Sequence, residues 1–317
     1  MTKVSFIVPI YNARETIRRC LDSILAQNHH DIEVIAINDG STDDTFEILK
    51  QYERAHDNFV LLDQPDIGVA RTCNRGISVA TGEYVVVVDS DDYIDSDFLD
   101  VYLANAHPGC DVVIGGWRRA TNEGRLIYER HLKGSRWETY INIYPWSKLY
   151  RREFLLANKI EFLDYGIGED VYFTFCLKAH HARVRVISYV GYTWTHVTTS
   201  ISNTAHKGLN SDLDVLYLLN KVNDLFRTKP ELLKYYFRRF AVWWLLYSGR
   251  DASSATFIAE HDRVMNWIRD HDVATKLTPF SKRLVGERLF ERALVAGFSV
   301  IERLHLLPLF ASVYCRG

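Results

Sequence analysis

Four short apolar runs, each closed by a string of polar turn residues, set the fold of this 317-residue chain. The runs are VSFIV (4–8), IEVIAI (32–37), FVLL (59–62) and EYVVVVD (83–89). Between them, apolar residues recur at helical spacing: Ile17, Leu21, Ile24 and Leu25, then Phe46, Ile48, Leu49 and Tyr52, then a stretch over 69–80. Strands alternating with helices predict parallel βαβ units. EYVVVVD is apolar at consecutive positions, as a central strand covered on both faces requires. Asn12-Ala13-Arg14-Glu15 has capping-box spacing and predicts Asn12 as the cap of the first helix.

Further along, the pattern is less regular over 110–205, with strands expected at 112–114 and 184–187. From about His206 the chain reads as helical and rich in aromatics. The expected division is therefore a catalytic domain over 1–205 and an α-helical region over 206–317. Within the first, 1–110 would bind the nucleotide and 111–205 form the acceptor side.

Composition narrows the function classes. A net charge of −2 argues against a chain built to neutralise nucleic-acid phosphates. Five cysteines stand singly, without the pairs of a zinc or disulfide framework, so a reducing, cytoplasmic setting is expected. VSFIV reads as a strand and not as the apolar core of a leader. No run reaches the ~18 consecutive apolar residues of a membrane span.

In sheets of this kind, ligands bind beyond the carboxyl ends of the strands, and the chemistry-bearing strings lie there. Asp89-Ser90-Asp91-Asp92 follows the fourth run, and carboxylate oxygens suit hard cations such as Mg²⁺ or Mn²⁺. A solvated acidic turn is the bland reading. Asn38-Asp39-Gly40-Ser41-Thr42-Asp43 is turn chemistry, or it places Asp39 to accept from a nucleobase N–H. Pro9-Ile10-Tyr11-Asn12 offers Tyr11 for stacking on a base, or as a packing staple for the first helix. Gly166-Ile167-Gly168-Glu169-Asp170 puts two carboxylates at a helix start. There Asp170 serves either as capping charge or as a general base toward an acceptor hydroxyl. His196, in Tyr192-Thr193-Trp194-Thr195-His196, is a candidate metal ligand or an ordinary surface histidine.

Together these strings resemble family 2 glycosyltransferases, which have the GT-A fold. The resemblance covers roughly residues 1–205, through VSFIVPIYN, NDGSTDDT, GVARTCNRGI, TGEYVVVVDSDD, WSKLYRREF, GIGED and YTWTHVTTSIS. It implies an α/β fold with a mostly parallel central sheet, plus the C-terminal helices. It implies a donor side of Pro9, Tyr11, Asn12, Asp39, Arg71, Asp89, Ser90 and Asp91, and a sugar or acceptor side of Trp146, Lys148 and Glu169. It also implies Asp170 as catalytic base, with Mn²⁺ or Mg²⁺ on Asp91, Asp89 and His196. Cys73 stands where relatives often carry arginine, so Arg71 is expected to reach the diphosphate instead. The implied reaction is an inverting transfer from a nucleotide-diphosphate sugar, with UDP the expected nucleotide, to a hydroxyl of a glycan or lipid-linked glycan in polysaccharide synthesis. A degenerate domain that binds sugar or protein without catalysis is the alternative. A dinucleotide enzyme would need a glycine-rich loop after the first strand, where PIYNARE has no glycine.

Residues 276–317 carry seven Lys/Arg and three acids, a net +4. Leu294, Phe298, Ile301, Leu304 and Leu307 are spaced to share one helical face. Basic amphipathic helices of this kind lie on anionic membrane surfaces or dock on a protein core. The resemblance adds that many relatives extend lipid-linked glycans at the inner face of bacterial membranes, which implies a peripheral association there.

Overall fold

The computed structural model describes residues 2–29, 31–196, 208–209 and 214–317. The chain divides into two compact units, one of Met1–Gly134 with Ile143–Val197 and the other of Ser135–Asn142 with Thr198–Gly317. The division expected between 205 and 206 lies outside the described residues. The short segment 135–142, expected within the first region, falls in the second unit.

The first unit opens with β1 (Val4–Ile10), α1 (Ile17–Leu25), β2 (Ile32–Asp39), α2 (Thr45–Ala55), β3 (Phe59–Gln64), α3 (Val69–Val79) and β4 (Tyr84–Val87). These strands form the parallel half of one sheet, in the order β3-β2-β1-β4. Every residue of β1, β2 and β4 is buried, as the apolar runs require. β3, at the edge, is only partly covered. α3 closes tightly on the sheet at Gly76, where a Cβ would come 2.4 Å from Ile7 Cγ2.

The rest of this unit comprises β5 (Tyr93–Ile94), α4 (Phe98–Asn105), β6 (Val112–Thr121), β7 (Leu126–Arg130), β8 (Lys148–Arg151), α6 (Arg152–Ala157), α7 (Glu169–Ala179) and β9 (Val184–His196). α5 (Glu138–Ile141) belongs to the second unit. The sheet continues from β4 through β8, β6 and β9 to β5, and β7 pairs with β6. β6 and β9 are parallel and far longer than the sequence pattern suggested. The reason is Gly115-Gly116: the register shifts there, and Tyr102 Oη fills the space a Cβ at 115 would take. Glycines at a bulge interrupt the strand signal without ending the strand.

The first helix corrects another expectation. It begins at Ile17 after Thr16, and Asn12 does not cap it. Asn12 instead has a positive φ of 48°. Its Oδ1 accepts from Thr42 N at 2.7 Å, so a tertiary partner takes the side chain that local spacing offered to the helix.

In the second unit, helix Glu231–Ser248 buries Leu233, Phe237, Val242 and Leu245. Segment 135–142 is fixed by Trp137, whose Nε1 donates to Glu287 at 2.7 Å and whose ring meets Tyr235 edge-on at 5.3 Å. The apolar face expected across Leu294–Leu307 is not one face. Helix Leu289–Arg303 stops, His305 turns left-handed at φ 55°, and a new helix runs over Leu307–Tyr314. Phe298 and Leu307 are buried, whereas Leu304 is exposed at the break.

A buried carboxylate ties β1, β2 and the turn before β4 together. Glu33 accepts from Ser5 Oγ, Thr81 N (2.6 Å), Thr81 Oγ1 (2.8 Å) and Gly82 N (3.2 Å), and pairs with Lys3 at 3.1 Å. Burial pushes its pKa up, but these donors outweigh burial and hold it at about 2, against an ordinary 4.5. A depressed carboxyl stabilises the fold above its unfolded pKa, and that stability is lost as pH falls from 4.5 toward 2. Glu33→Gln should therefore cost about 2 kcal/mol at neutral pH. The melting difference from the parent should shrink as pH falls below 4.5, which thermal melts across acid pH will read.

Candidate functional site

The carboxyl ends of β1, β2, β3 and β4 lie on one side because the strands pair in parallel, and the loops after β1, β2 and β3 hydrogen-bond to one another. After β1, Pro9 and Ile10 are buried and Tyr11 is half exposed. Asn12 N donates to Ser41 Oγ at 3.0 Å, and Ala13 N donates to Thr45 Oγ1 at 2.8 Å. These bonds lock the PIYN loop to the DGSTDD loop. At the tip of β2, Asp39 is buried and accepts from Gln64 Nε2 (2.7 Å), Ile67 N (3.0 Å) and Gly68 N (3.0 Å). Its carboxylate thus fastens the loop leading into α3. Gly40 makes the close approach possible, since a Cβ there would lie 2.6 Å from Asp66 N at φ +73°. Arg75 holds Gln64 Oε1 at 2.5 Å from α3, a positioning link no sequence motif announced.

The acids cluster after β4. Carboxylate oxygens of Asp89, Asp91 and Asp92 lie within 4.8 Å of one another. Asp92 is wholly buried, accepting from Tyr192 Oη at 2.7 Å and from Thr195 N at 2.8 Å. Tyr192 Oη also accepts from Asp89 N at 3.2 Å. Arg19 braces the loop through the carbonyl of Asp91 (3.3 Å) and Thr195 Oγ1 (3.1 Å). Half-buried Ser90 sits between the acids. Asp92 was legible only as one more acid in the string. Its part in aiming the loop depends on β9, a hundred residues later.

α7 brings the second pair of acids. Gly168 caps it in a left-handed conformation, and Glu169 and Asp170 occupy its first turn. The approach to this turn is pinned by Asn74, whose side chain both accepts from Phe162 N (2.8 Å) and donates to Phe162 O (3.0 Å). Exposed Arg71 reaches the same approach, pairing with Asp164 at 2.5 Å. Burial, with repulsion from Asp91, Asp170 and Glu169, pushes the Asp89 carboxyl up to about 7. Burial, with repulsion from Glu169, likewise pushes Asp170 up to about 7, against a downward pull from Lys148. Asp91, Asp92 and Glu169 are also raised, chiefly by burial. Asp89, Glu169 and Asp170 therefore act on one another as neighbours.

Lys148 is buried, its Nζ donating to Tyr144 O and lying 5.1 Å from the Tyr144 ring centroid. Burial lowers its pKa to about 7 against the pull of Asp170. Trp146 is sandwiched between Tyr144 (3.8 Å) and Tyr192 (4.7 Å), so it stiffens the wall carrying Tyr192. His196 ends β9 with Nδ1 2.7 Å from Arg119, whose guanidinium stacks over Trp194 at 4.3 Å. It is not among the three grouped carboxylates. Cys73 is buried, and burial, followed by the nearby charges of Asp89, Glu169 and Asp39, pushes its thiol up.

The family model described as glycosyl transferase family 2 matches residues 5–166. EpsH of Bacillus subtilis is 28% identical over 258 residues, covering 78% of this chain and 75% of that protein. The glycosyltransferase YibD of Escherichia coli is 31% identical over 253 residues, covering 72% of this chain and 73% of its own. Among solved structures, Staphylococcus aureus TarS (residues 1–349) in complex with UDP matches with a TM-score of 0.64 at 21% identity, covering 94% of this chain and 91% of that chain. The same protein has been solved with UDP-GlcNAc, with a TM-score of 0.58 at 23% identity, covering 98% and 88%. At these identities, the likeness to TarS shows a shared fold.

The bonds of Asp39 predict a structural phenotype. Asp39→Ala frees three donors and should lower stability by about 2 kcal/mol in denaturant melts. Arg71→Ala breaks an exposed pair and should change stability by less than about 1 kcal/mol.

Proposed function

The chain belongs to glycosyl transferase family 2, and from that footing we propose an inverting transfer of a hexose or N-acetylhexosamine from a UDP-linked donor to a hydroxyl of a glycan or lipid-linked glycan. The observation that carries this reading is the closeness of two acid groups from distant parts of the chain. Asp89 and Asp91 follow β4, Glu169 and Asp170 open α7, and their charges act on each other. The choice of UDP draws support from TarS, solved with UDP and with UDP-GlcNAc.

Asp89 and Asp91 fit a hard divalent cation, Mn²⁺ or Mg²⁺, because the cluster offers only carboxylate oxygens at short mutual distance. A cation there supplies electrostatic stabilisation of the departing nucleoside diphosphate. Asp92 serves the cluster as a positioning residue, since Tyr192 and Thr195 already engage it. Tyr11, half exposed beyond β1, offers a flat face to the base, and Asp39 holds the adjoining loop. Arg71 would exchange Asp164 for the diphosphate, a bidentate task suited to a guanidinium.

Asp170 takes the proton from the acceptor hydroxyl. Its raised pKa makes it a stronger base than an ordinary carboxylate while leaving it ionised above neutrality. Lys148, buried beside it, favours the ionised form. One displacement from the face opposite the diphosphate inverts the anomeric centre, with no second carboxylate needed as nucleophile. We place this activity in the cytoplasm, in keeping with the free thiols. No described helix is long and apolar enough to cross a membrane.

Calorimetry with UDP and Mn²⁺, alongside turnover across a panel of UDP-sugars, tests the assignment. Asp91→Ala should lose metal-dependent UDP binding. Asp170→Asn should keep UDP binding and lower kcat about 10²–10⁴-fold. In the parent enzyme, kcat/KM should fall on the acid side as Asp170 takes up a proton, at a pH above the ordinary carboxylate range. Full turnover by Asp170→Asn would remove it as the base. Absence of metal-dependent turnover across the panel would favour a binding module.

A further inference from the structure

Helix Leu289–Arg303 turns an apolar stripe to solvent. Leu289, Ala293, Gly297, Val300 and the following Leu304 recur every three or four residues, and all are exposed. Leu289 is 76% exposed and neighbouring Phe290 63%. Helix Leu307–Tyr314 adds Leu309 (63%) and Val313 (80%). A helix that faces water ordinarily carries its charges on that side.

Here the acids are turned the other way. Beyond Asp272 the sequence holds three, Glu287, Glu291 and Glu302. Glu287 is buried, accepting from Trp137 Nε1 at 2.7 Å and Arg239 Nε at 3.1 Å. Glu291 lies 3.9 Å from Arg239. Glu302 bridges Arg238 and His261, the latter at 3.0 Å. Of the cations in the same stretch, Lys282 and Arg283 before the first helix, Arg303 at its end and Arg316 after the second are exposed, while Arg292 turns inward to the Leu284 carbonyl. Beside the stripe, a cavity of about 230 Å³ lies between helices Glu231–Ser248 and Leu289–Arg303, walled by Val242, Trp243, Leu246, Tyr247, Phe290 and Leu294.

We propose that this face docks on an anionic phospholipid bilayer. Leu289, Phe290, Val300, Leu309 and Val313 enter the acyl boundary, and the exposed arginines meet headgroup phosphates. Apolar area and cationic charge act together in interfacial binding, and this surface offers both, with Glu287, Glu291 and Glu302 held by Arg239, Arg238 and His261 and exposed Asp251 the acid near helix Leu307–Tyr314. A second copy of the chain would bring the same cationic face against this one, which like charges oppose. The surface lies in the second unit, which holds none of the residues assigned to donor, metal or base. Membrane docking and sugar transfer therefore stand or fall separately.

Co-sedimentation of the full chain with vesicles tests it, using phosphatidylcholine alone and phosphatidylcholine mixed with phosphatidylglycerol. The chain should partition onto the mixed vesicles, weakly onto the neutral ones, and less at high salt. Leu309→Ser with Val313→Ser should lower partitioning about tenfold, and Arg303→Gln with Arg316→Gln should do the same. All four side chains are exposed, so melting temperature and UDP binding should be unchanged. Absence of binding to mixed vesicles would overturn the proposal, as would undiminished binding by the Leu309/Val313 variant. Self-association without vesicles that the same variant abolishes would assign the surface to a second copy instead.

Discussion

Mutual repulsion among carboxylates in a water-poor place is the constraint around which the first unit is built. Asp89, Asp91 and Asp92 follow a strand whose every residue is buried, and α7 adds Glu169 and Asp170. Burial pushes the carboxyl pKa of each of the five upward, and repulsion from neighbouring acids adds to it at Asp89, Asp92 and Asp170. Such an arrangement costs stability unless surrounding structure holds it. The brace is specific: Tyr192 and Thr195 on β9 engage Asp92, while Arg19 on α1 grips the Asp91 carbonyl. Grouped carboxylates suit a divalent cation, the one proposed here to aid departure of the diphosphate.

The parallel half of the sheet was legible because its strands are continuous apolar runs. VSFIV, IEVIAI and YVVV leave no polar face to expose, so only a twice-covered strand accommodates them. The other half was harder to read. β6 and β9 are interrupted by glycines and a bulge, which shortened both in the sequence pattern. Segment 135–142 joins the second unit through an anchor, Glu287, 150 residues away, beyond any local periodicity. Asn12 shows a local signal overruled: its capping spacing was real, but the Thr42 amide lay within reach.

For the site, residue type was informative and geometry was not. DSDD and GIGED supplied the acids, yet only the fold shows that they act on one another. Asp39 reads from sequence as turn chemistry or as a base-binding residue, and in space it is a tether with three donors. Gln64, Arg75 and Asn74 left no trace in any motif, because their work is to hold loops at a distance in sequence. In the second unit, composition revealed the cationic excess. It could not reveal that the acids turn inward and leave an apolar stripe outside.

A crystal grown with UDP and Mn²⁺ tests the arrangement most directly, since manganese can be located by its anomalous scattering. The metal should sit within about 2.0–2.4 Å of a carboxylate oxygen of Asp91 and of the diphosphate, with Asp170 uncoordinated on the sugar side. Manganese bound away from Asp89 and Asp91, or Asp170 among its ligands, would contradict the division of labour between the two acid groups.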